Sequence, residues 1–525
     1  MRHATKTVTR SDSAESADLV AVGSASRLHR DVGDEVRQIV YSGAHRRDYR
    51  RKVQLSLDVF ETMLAQSSFD FERPLTGMEI ECNLVDEDYQ PAMANREVLA
   101  AIADPAFQTE LGAYNIEFNV PPRPLPGDSA LELESDVRAS LNAAETNANQ
   151  HGAHIVMIGI LPTLMPEHLT GEWMSESVRY RLLNDSIFTA RGEDIVIDIT
   201  GPERLCLQTG SIAPESACTS MQLHLQVSPT DFADNWNAAQ VLAGPQLALG
   251  ANSPYFLGHR LWAETRIELF AQATDTRPDE LKAQGVRPRV WFGERWITSI
   301  FDLFEENVRY FPSLLPELSD EDPVAELAAG RAPRLAELRL HNGTIYRWNR
   351  PVYDVVDGRP HLRVENRVLP AGPTVLDMMA NSAFYYGALR TLSEEDRPLW
   401  TQMSFPAAQA NFLDAAQHGM DARLYWPEMG EVTPDELVLR RLLPLADEGL
   451  RRWGVAASVR DRYLGVIEGR AKSGLNGAAW QVRTVAALQE HKGMTRPQAL
   501  AEMLRRYTQL MHSNEPVHGW ELLGN

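Results

Sequence analysis

The 525-residue sequence has few cysteines and a deficit of basic side chains. It contains three cysteines (Cys82, Cys206 and Cys218) and no CxxC spacing, so neither a disulfide framework nor a zinc ribbon is indicated. Acidic residues outnumber basic ones by 72 to 51, which gives a formal net charge of −21. This balance repels nucleic acid and anionic membrane surfaces. We therefore expect a reducing, cytoplasmic location and no nucleic-acid partner.

Long apolar runs and the commonest nucleotide-binding loop are also missing. No segment approaches the roughly 18 consecutive apolar residues that cross a bilayer, so no membrane association is predicted. No GxxxxGK[ST] loop occurs, which argues against a P-loop enzyme. Hydrophobic residues make up 44% of the chain and charged residues 23%, as is usual for a folded globular protein.

The pattern along the chain predicts three parts. Residues 1–45 are polar, and we expect a flexible tail there. Residues 46–392 mix strand-like and helical patterns without a regular strand–helix repeat, which favours an α+β fold with a large antiparallel sheet. Residues 393–525 are helical in pattern and are predicted to pack on that core.

Four distant segments share one design, an apolar strand face opposite a face of carboxylates, amides, histidine and arginine. In GMEIECNL, Glu79 and Glu81 share a face because alternate strand residues point the same way. The pattern recurs in three later segments: YNIEFNV with Glu117 and Asn119, TSMQLHLQVS with Gln222 and His224, and HLRVENRV with Arg363, Glu365 and Arg367. A solvated sheet face also alternates, but these faces lack the lysine and threonine expected of a merely wet surface.

Several glutamates on one sheet repel one another unless cations or arginines lie among them. Carboxylates with a single imidazole suit Mg²⁺ or Mn²⁺ better than zinc. Arg363 and Arg367 flank Glu365, and Arg347 and Arg350 precede that strand; guanidinium groups bind phosphate or carboxylate oxygens bidentately. The combination favours a phosphoryl-transfer site over a glycosidase carboxylate pair.

These motifs, in this order, resemble glutamate–cysteine ligase family 2, a branch of the glutamine synthetase-like carboxylate–amine ligases. The resemblance rests on GxExE, the acidic pair Glu110 and Glu117, the QxHxQ strand, GANSP at residues 250–254, and RxExR. It spans residues 76–392 and continues more weakly beyond. It implies a curved antiparallel sheet whose concave face holds ATP, Mg²⁺ and the substrate carboxylate.

The resemblance also implies roles for individual residues. Glu81, Glu110 and Glu117 match the ligands of the metal nearer the amino acid, and Glu79, His224 and Glu365 match those of the metal at the ATP phosphates. Arg367, with Arg347 or Arg350, matches the arginines that steady the transferred phosphoryl group. Gln222 is expected at the nucleotide. Arg266, Asn119 and Trp296 are the expected substrate contacts.

The implied reaction is ATP- and Mg²⁺-dependent ligation of the γ-carboxylate of L-glutamate to L-cysteine through an acyl phosphate, with small molecules as the only expected partners. Three alternatives stay open. The enzyme could join another acid or amine in a specialised pathway, it could transfer phosphate to a guanidino or amine acceptor, or the chain could be a non-catalytic homologue.

Overall fold

The computed structural model describes residues 41–523. Its strands are short outside one large sheet. They are β1 (Thr76–Val85), β2 (Phe107–Thr109), β3 (Asn115–Arg123), β4 (His154–Val156), β5 (Ile195–Thr200), β6 (Arg204–Thr209), β7 (Met221–Val227), β8 (Tyr255–Phe256), β9 (His259–Arg260), β10 (Val290–Trp291), β11 (Tyr346–Arg347), β12 (Asn349–Val356), β13 (Arg359–Asn366), β14 (Leu424–Trp426) and β15 (Gly430–Val432).

Between them, and after them, lie α-helices of very different length. They are α1 (Gly43–Gln66), α2 (Asn95–Ile102), α3 (Ser129–Asn149), α4 (Val178–Arg191), α5 (Phe232–Gly250), α6 (Arg266–Ala273), α7 (Asp279–Ala283), α8 (Ile300–Tyr310), α9 (Pro323–Ala328), α10 (Ala336–Gly343), α11 (Val375–Ser393), α12 (Phe405–His418), α13 (Pro434–Leu437), α14 (Leu443–Arg452), α15 (Ala457–Ser473), α16 (Gly477–Lys492) and α17 (Arg496–Ser513). Within residues 41–523, none of the helices is long and apolar enough to cross a membrane.

The large sheet is antiparallel and curled, with strand order β12-β13-β7-β1-β3-β2 and with β4 paired to the far end of β1. The four segments with alternating polar faces become its adjacent central strands β13, β7, β1 and β3. Neighbouring strands come from distant parts of the sequence. Their polar residues therefore meet only because of this strand order.

Two helices that are apolar on all sides, α5 and α11, are almost completely buried, as such helices require. From α11, the Tyr386 hydroxyl donates to the carbonyl oxygens of Gly77, at 3.1 Å, and His224, at 3.0 Å. This contact joins β1 to β7 beside the two residues whose side chains share the polar face, Glu79 and His224.

The C-terminal helices are tied to the core by buried polar contacts. Arg470 of α15 forms an ion pair with Asp377 of α11 at 2.7 Å and donates to Asn381 at the same distance. Asn252, in the GANSP segment, donates to the Tyr507 hydroxyl of α17 at 2.8 Å. The GANSP segment therefore has a structural role where the C-terminal helices meet the core.

The predicted fold class is confirmed: α+β, with a curled antiparallel sheet, packed helices and a helical C-terminal region. The short hairpin of β14 and β15 inside that region was not predicted. The predicted tail lies almost entirely outside the described residues, since its part within them is residues 41–45 and α1 already begins at Gly43. The predicted boundary at residue 392 falls within the last turn of α11.

Candidate active site

Three carboxylates meet where β1, β2 and β3 lie side by side. Glu81 and Glu117 are direct partners in the pairing of β1 with β3, and Glu110 follows the last residue of β2. One carboxylate oxygen from each lies within 4.8 Å of the others, an arrangement that could hold a metal ion. The fit is chemically sound because Mg²⁺ and Mn²⁺ prefer carboxylate oxygens.

Each of these carboxylates also has a hydrogen-bond donor that fixes its position. Glu81 accepts from the backbone N–H of Ser220 at 2.5 Å and from Gln222 Nε2 at 2.8 Å. Asn119 Nδ2 donates to Glu117 Oε1 at 2.6 Å, and the backbone N–H of Leu111 donates to Glu110 Oε2 at 3.0 Å.

The electrostatics of this cluster favour binding of a cation. Burial, followed by the charge of Glu110, raises the pKa of Glu81 to about 7. Burial and then the charges of Glu79, Glu110 and Glu81 raise the pKa of Glu117 well above its ordinary value. Burial also raises the pKa of Glu110. A divalent cation would relieve this repulsion and keep all three groups ionised.

A second group forms around His224 on β7. His224 is the direct cross-strand partner of Glu365 on β13, and its Nε2 lies 3.0 Å from Glu79 Oε1. That nitrogen is buried and makes no hydrogen bond of acceptable geometry with the residues that the structure describes. Adjacent ligands of an octahedral Mg²⁺ lie about 3 Å apart because each bond is about 2.1 Å long. A separation of 3.0 Å suits a hydrogen bond and also suits two adjacent ligands of one ion, so the buried Nε2 and the Glu79 oxygen could bind the same Mg²⁺.

The carboxylates of this second group stay ionised. Burial acts to raise the pKa of Glu365, but the charges of Arg350 and Arg367 hold that pKa well below its usual range. Burial likewise opposes ionisation of Glu79, but His224 lowers its pKa overall. The two groups thus differ: within residues 41–523, no ion pair with a basic side chain is formed by Glu81, Glu110 or Glu117, whereas Glu365 pairs with both Arg350 and Arg367.

Two of the predicted arginines contact this site. Arg350 Nη2 donates to Glu365 Oε2 at 2.7 Å. Arg367 Nη1 donates to Glu365 Oε1 at 2.7 Å and to Gln222 Oε1 at 2.6 Å. Since Gln222 also donates to Glu81, a continuous chain of hydrogen bonds joins the two groups: Glu365, Arg367, Gln222 and Glu81.

Arg347 has different surroundings. It lies on β11, outside the large sheet, where its Nη2 donates to Glu306 Oε2 at 3.0 Å and its guanidinium stacks on Trp291, 4.7 Å from the ring centroid. Burial lowers the pKa of Arg347 to about 10. These contacts are with α8 and β10, not with the glutamate groups, and they resemble a buried structural ion pair.

Of the three predicted substrate contacts, one lies in the site and two contact other parts of the protein. Asn119 is in the site, bound to Glu117. Arg266 is buried beneath it: its Nε donates to Glu264 at 3.1 Å, and its Nη2 donates to the backbone carbonyl of Val368, just after Arg367. Trp296 donates from Nε1 to the Met403 carbonyl at 3.0 Å and packs on Phe405. The contacts of Arg266 and Trp296 are thus with the protein's own framework.

Sequence reasoning missed Glu215, which lies in a short 3-10 turn ahead of β7. Its Oε2 is buried without a hydrogen-bond partner among the described residues. Burial, followed by the charges of Glu110 and Glu81, raises its pKa to about 8, which places it near the three-glutamate cluster. Because Glu215 is in a turn, no strand alternation could have revealed it.

Comparisons with known proteins bear on the family of this chain. The family model of glutamate–cysteine ligase family 2 (GCS2) matches residues 75–501, and no curated protein matches the chain. A solved glutamate–cysteine ligase from Francisella tularensis, in complex with AMP, is similar with a TM-score of 0.53 and 13% identity, over 85% of this chain and 91% of that one.

A second similar structure is a bifunctional glutathione synthetase from Pasteurella multocida, with a TM-score of 0.48 and 11% identity, over 87% of this chain and 55% of that one. The likeness to the Francisella enzyme, at 13% identity, shows a shared fold. The family match is the stronger finding because it extends over most of the described residues. The resemblance inferred from the motifs is confirmed, and the chain belongs to glutamate–cysteine ligase family 2, a family of carboxylate–amine ligases.

Proposed function

We propose that this protein is an ATP- and Mg²⁺-dependent ligase that joins the γ-carboxylate of L-glutamate to the amine of L-cysteine. The observation that carries the proposal is the hydrogen-bonded chain from Glu365 through Arg367 and Gln222 to Glu81. This chain links the three-glutamate cluster, which suits a metal at the amino acid, with the His224 group, which suits a metal at the phosphates. Family membership and the AMP in the Francisella structure support nucleotide use.

In this proposal Glu81, Glu110 and Glu117 hold one Mg²⁺, while Glu79, His224 and Glu365 hold another. When bound, Mg²⁺ neutralises charge on the phosphate and carboxylate oxygens; Mn²⁺ has the same ligand preference. Arg350 and Arg367 orient the phosphoryl group by donating hydrogen bonds to its oxygens, and Gln222 keeps Arg367 in place.

The chemistry has two steps. An oxygen of the γ-carboxylate attacks the terminal phosphorus of ATP, and the bond to ADP breaks, which leaves an acyl phosphate. The amine then attacks the acyl carbon, the bond between that carbon and the phosphate oxygen breaks, and the proton lost by the nitrogen is taken up by the released phosphate. The chain contributes by positioning reactants and stabilising charge. We assign the catalytic function to residues 46–392, since all six proposed metal ligands lie within them, from Glu79 to Glu365. The proposed location of the protein is the cytoplasm.

The test is incubation of the purified protein with ATP, MgCl₂ and a panel of acids and amines, with ADP and inorganic phosphate measured and products identified by mass spectrometry. We expect phosphate release that requires both glutamate and cysteine. Phosphate release with glutamate and another amine, in the absence of cysteine, would show that the other amine and not cysteine is the acceptor. A stable phosphorylated product without phosphate release would indicate a phosphotransferase.

The metal assignment has its own test in Glu79→Gln, which keeps the shape of the side chain and removes its charge. We expect the variant to lose activity and to need more Mg²⁺. Glu87→Gln is the matched control because Glu87 is exposed in the turn after β1. Survival of both activity and Mg²⁺ dependence in Glu79→Gln would show that the assignment is wrong.

A further inference from the structure

His224 has an unusual neighbour on the side away from Glu79. Arg363, two residues before Glu365 on β13, donates from its Nε to His224 Nδ1 at 3.1 Å. Arg363 is itself held in place, because its Nη1 lies 3.2 Å from Asp354 Oδ2 and 3.1 Å from His361 Nε2. Asp354 is in turn fixed by Arg339 at 3.0 Å.

This contact determines which nitrogen of His224 carries the proton. A guanidinium has donors and no acceptor, so Nδ1 must offer its lone pair to Arg363. In a neutral imidazole the hydrogen is then on Nε2. A nitrogen that carries hydrogen has no lone pair for a metal, yet Nε2 is the nitrogen that lies beside Glu79.

A metal at Nε2 requires the opposite tautomer. Nδ1 would then carry the hydrogen, and a metal-bound histidine usually donates this second N–H to a carboxylate, a carbonyl or water. With Arg363 in its observed position, two donors would face each other. An acceptor is available nearby, since Glu365 Oε2 lies 3.9 Å from Nδ1.

We propose that Arg363 is a positioning residue that competes with the phosphate-side divalent ion for His224. The ion binds at Nε2 only when Arg363 releases Nδ1. The released guanidinium lies on the same strand face as Arg367 and is then available to phosphate oxygens, so nucleotide and ion favour each other's binding. This inference rests on the metal assignment of the proposed function. It adds a binding order, in which bound nucleotide promotes binding of the second ion.

The experiment is a titration of the full-length, metal-free protein with Mn²⁺, followed by electron paramagnetic resonance of free Mn²⁺ and by calorimetry, with and without a non-hydrolysable ATP analogue. The variant is Arg363→Gln, because a glutamine carbonyl can accept a hydrogen bond from Nδ1–H. Without nucleotide we expect the second Mn²⁺ to bind about 10-fold more tightly to the variant, the scale usual for outer partners of metal ligands.

Two further variants separate this role from a general effect of charge. Arg363→Lys keeps a donor and should keep the weak second site. Arg359→Gln removes an arginine from the same strand that pairs with Asp70 at 3.2 Å and has a side chain that is 68% exposed; it should bind Mn²⁺ as the unaltered protein does. The analogue should strengthen the second site in the unaltered protein and much less in Arg363→Gln.

Equal second-site affinity in the unaltered protein and in Arg363→Gln would overturn the inference while leaving the metal assignment intact. Absence of a second Mn²⁺ from all four proteins, even with the ATP analogue, would overturn the metal assignment and the inference together. Both readouts are independent of ligase turnover, so a wrong choice of substrate in the proposed function does not affect them.

Discussion

Glu81 and Glu117 lie directly opposite each other in the pairing of β1 with β3, and both side chains are buried. Like charges at such a position destabilise a sheet. Their retention together, with Glu110 as a third carboxylate, is understandable if a cation binds between them.

Glu117→Gln should make the metal-free protein more stable and the metal-bound protein less active. The free energy of unfolding in EDTA should rise by about 1 kcal/mol, because a buried carboxyl whose ionisation is opposed by burial and by neighbouring glutamates is replaced by a neutral amide. Mn²⁺ affinity and ligase activity should each fall by about 100-fold or more, since a ligand is lost. Denaturant unfolding and calorimetry measure the two effects, with Glu87→Gln as the control. A variant that is destabilised in EDTA would contradict this account.

The stability of the metal-free protein should decrease with rising pH. Glu81 and Glu215 ionise near pH 4.5 when unfolded, but their pKa values in the folded protein are about 7 and about 8. Their stabilising contribution is complete below about pH 4.5 and is lost as the pH rises through these folded-state values. The free energy of unfolding in EDTA should fall between pH 5 and pH 8 by on the order of 6 kcal/mol, with the larger share from Glu215.

Divalent ions should reverse much of that loss, because they bind the ionised carboxylates of the folded state only. Denaturant unfolding at several pH values, with EDTA and with excess Mg²⁺, provides the comparison. The gain from Mg²⁺ should be larger at pH 8 than at pH 5. A gain that is equal at both pH values would speak against a metal site built from these glutamates.

Arg367→Lys should reduce kcat by about 100-fold while the fold is maintained. Lysine keeps the charge, but its ammonium has no second nitrogen to donate to phosphoryl oxygens, as the remaining guanidinium N–H groups of Arg367 can while Nη1 is bound to Glu365 and Gln222. An arginine at a transferred phosphoryl group commonly contributes at least this much. Steady-state kinetics and circular dichroism test the prediction, with Arg359→Lys as the matched exposed control. An unchanged kcat would remove Arg367 from the proposed catalytic group.

Arg347→Met distinguishes a structural arginine from a catalytic one. The sequence predicts Arg347 at the phosphoryl group, but its contacts are with Glu306, Asn307 and Trp291. Removing it leaves the Glu306 carboxylate buried without its main partner, which should cost about 3 kcal/mol of unfolding free energy.

The double variant Arg347→Met/Glu306→Gln should recover part of this loss, because the unpaired charge is gone. Residual kcat of the folded fraction should stay within a few-fold of the unaltered protein. A large fall in kcat with unchanged stability would restore the catalytic role predicted from the sequence.

Some of the site can be predicted from the sequence because strand alternation is local. Side chains two residues apart in a strand share a face whatever the strand pairs with, so Glu79 with Glu81, Gln222 with His224, and Glu365 with Arg363 could be grouped from the sequence alone. Alternation does not choose between Arg347 and Arg350: Arg350 contacts Glu365, whereas Arg347 contacts Glu306. The chain leaves the short strand β11 after Arg347 and enters the large sheet only at Asn349, a break that no local pattern indicates.

The sequence by itself determined which polar residues share a strand face and, through its motifs, the family. Only the tertiary structure decided that β13, β7, β1 and β3 are neighbours, which brings Glu365, His224, Glu79 and Glu117 together across more than 280 residues of chain. It also decided that Glu215 approaches the cluster from a turn and that Arg363 contacts His224 Nδ1. The physical reason is that side-chain direction follows from local backbone geometry, whereas strand order, turn placement and the distances between side chains depend on long-range packing around α5 and α11.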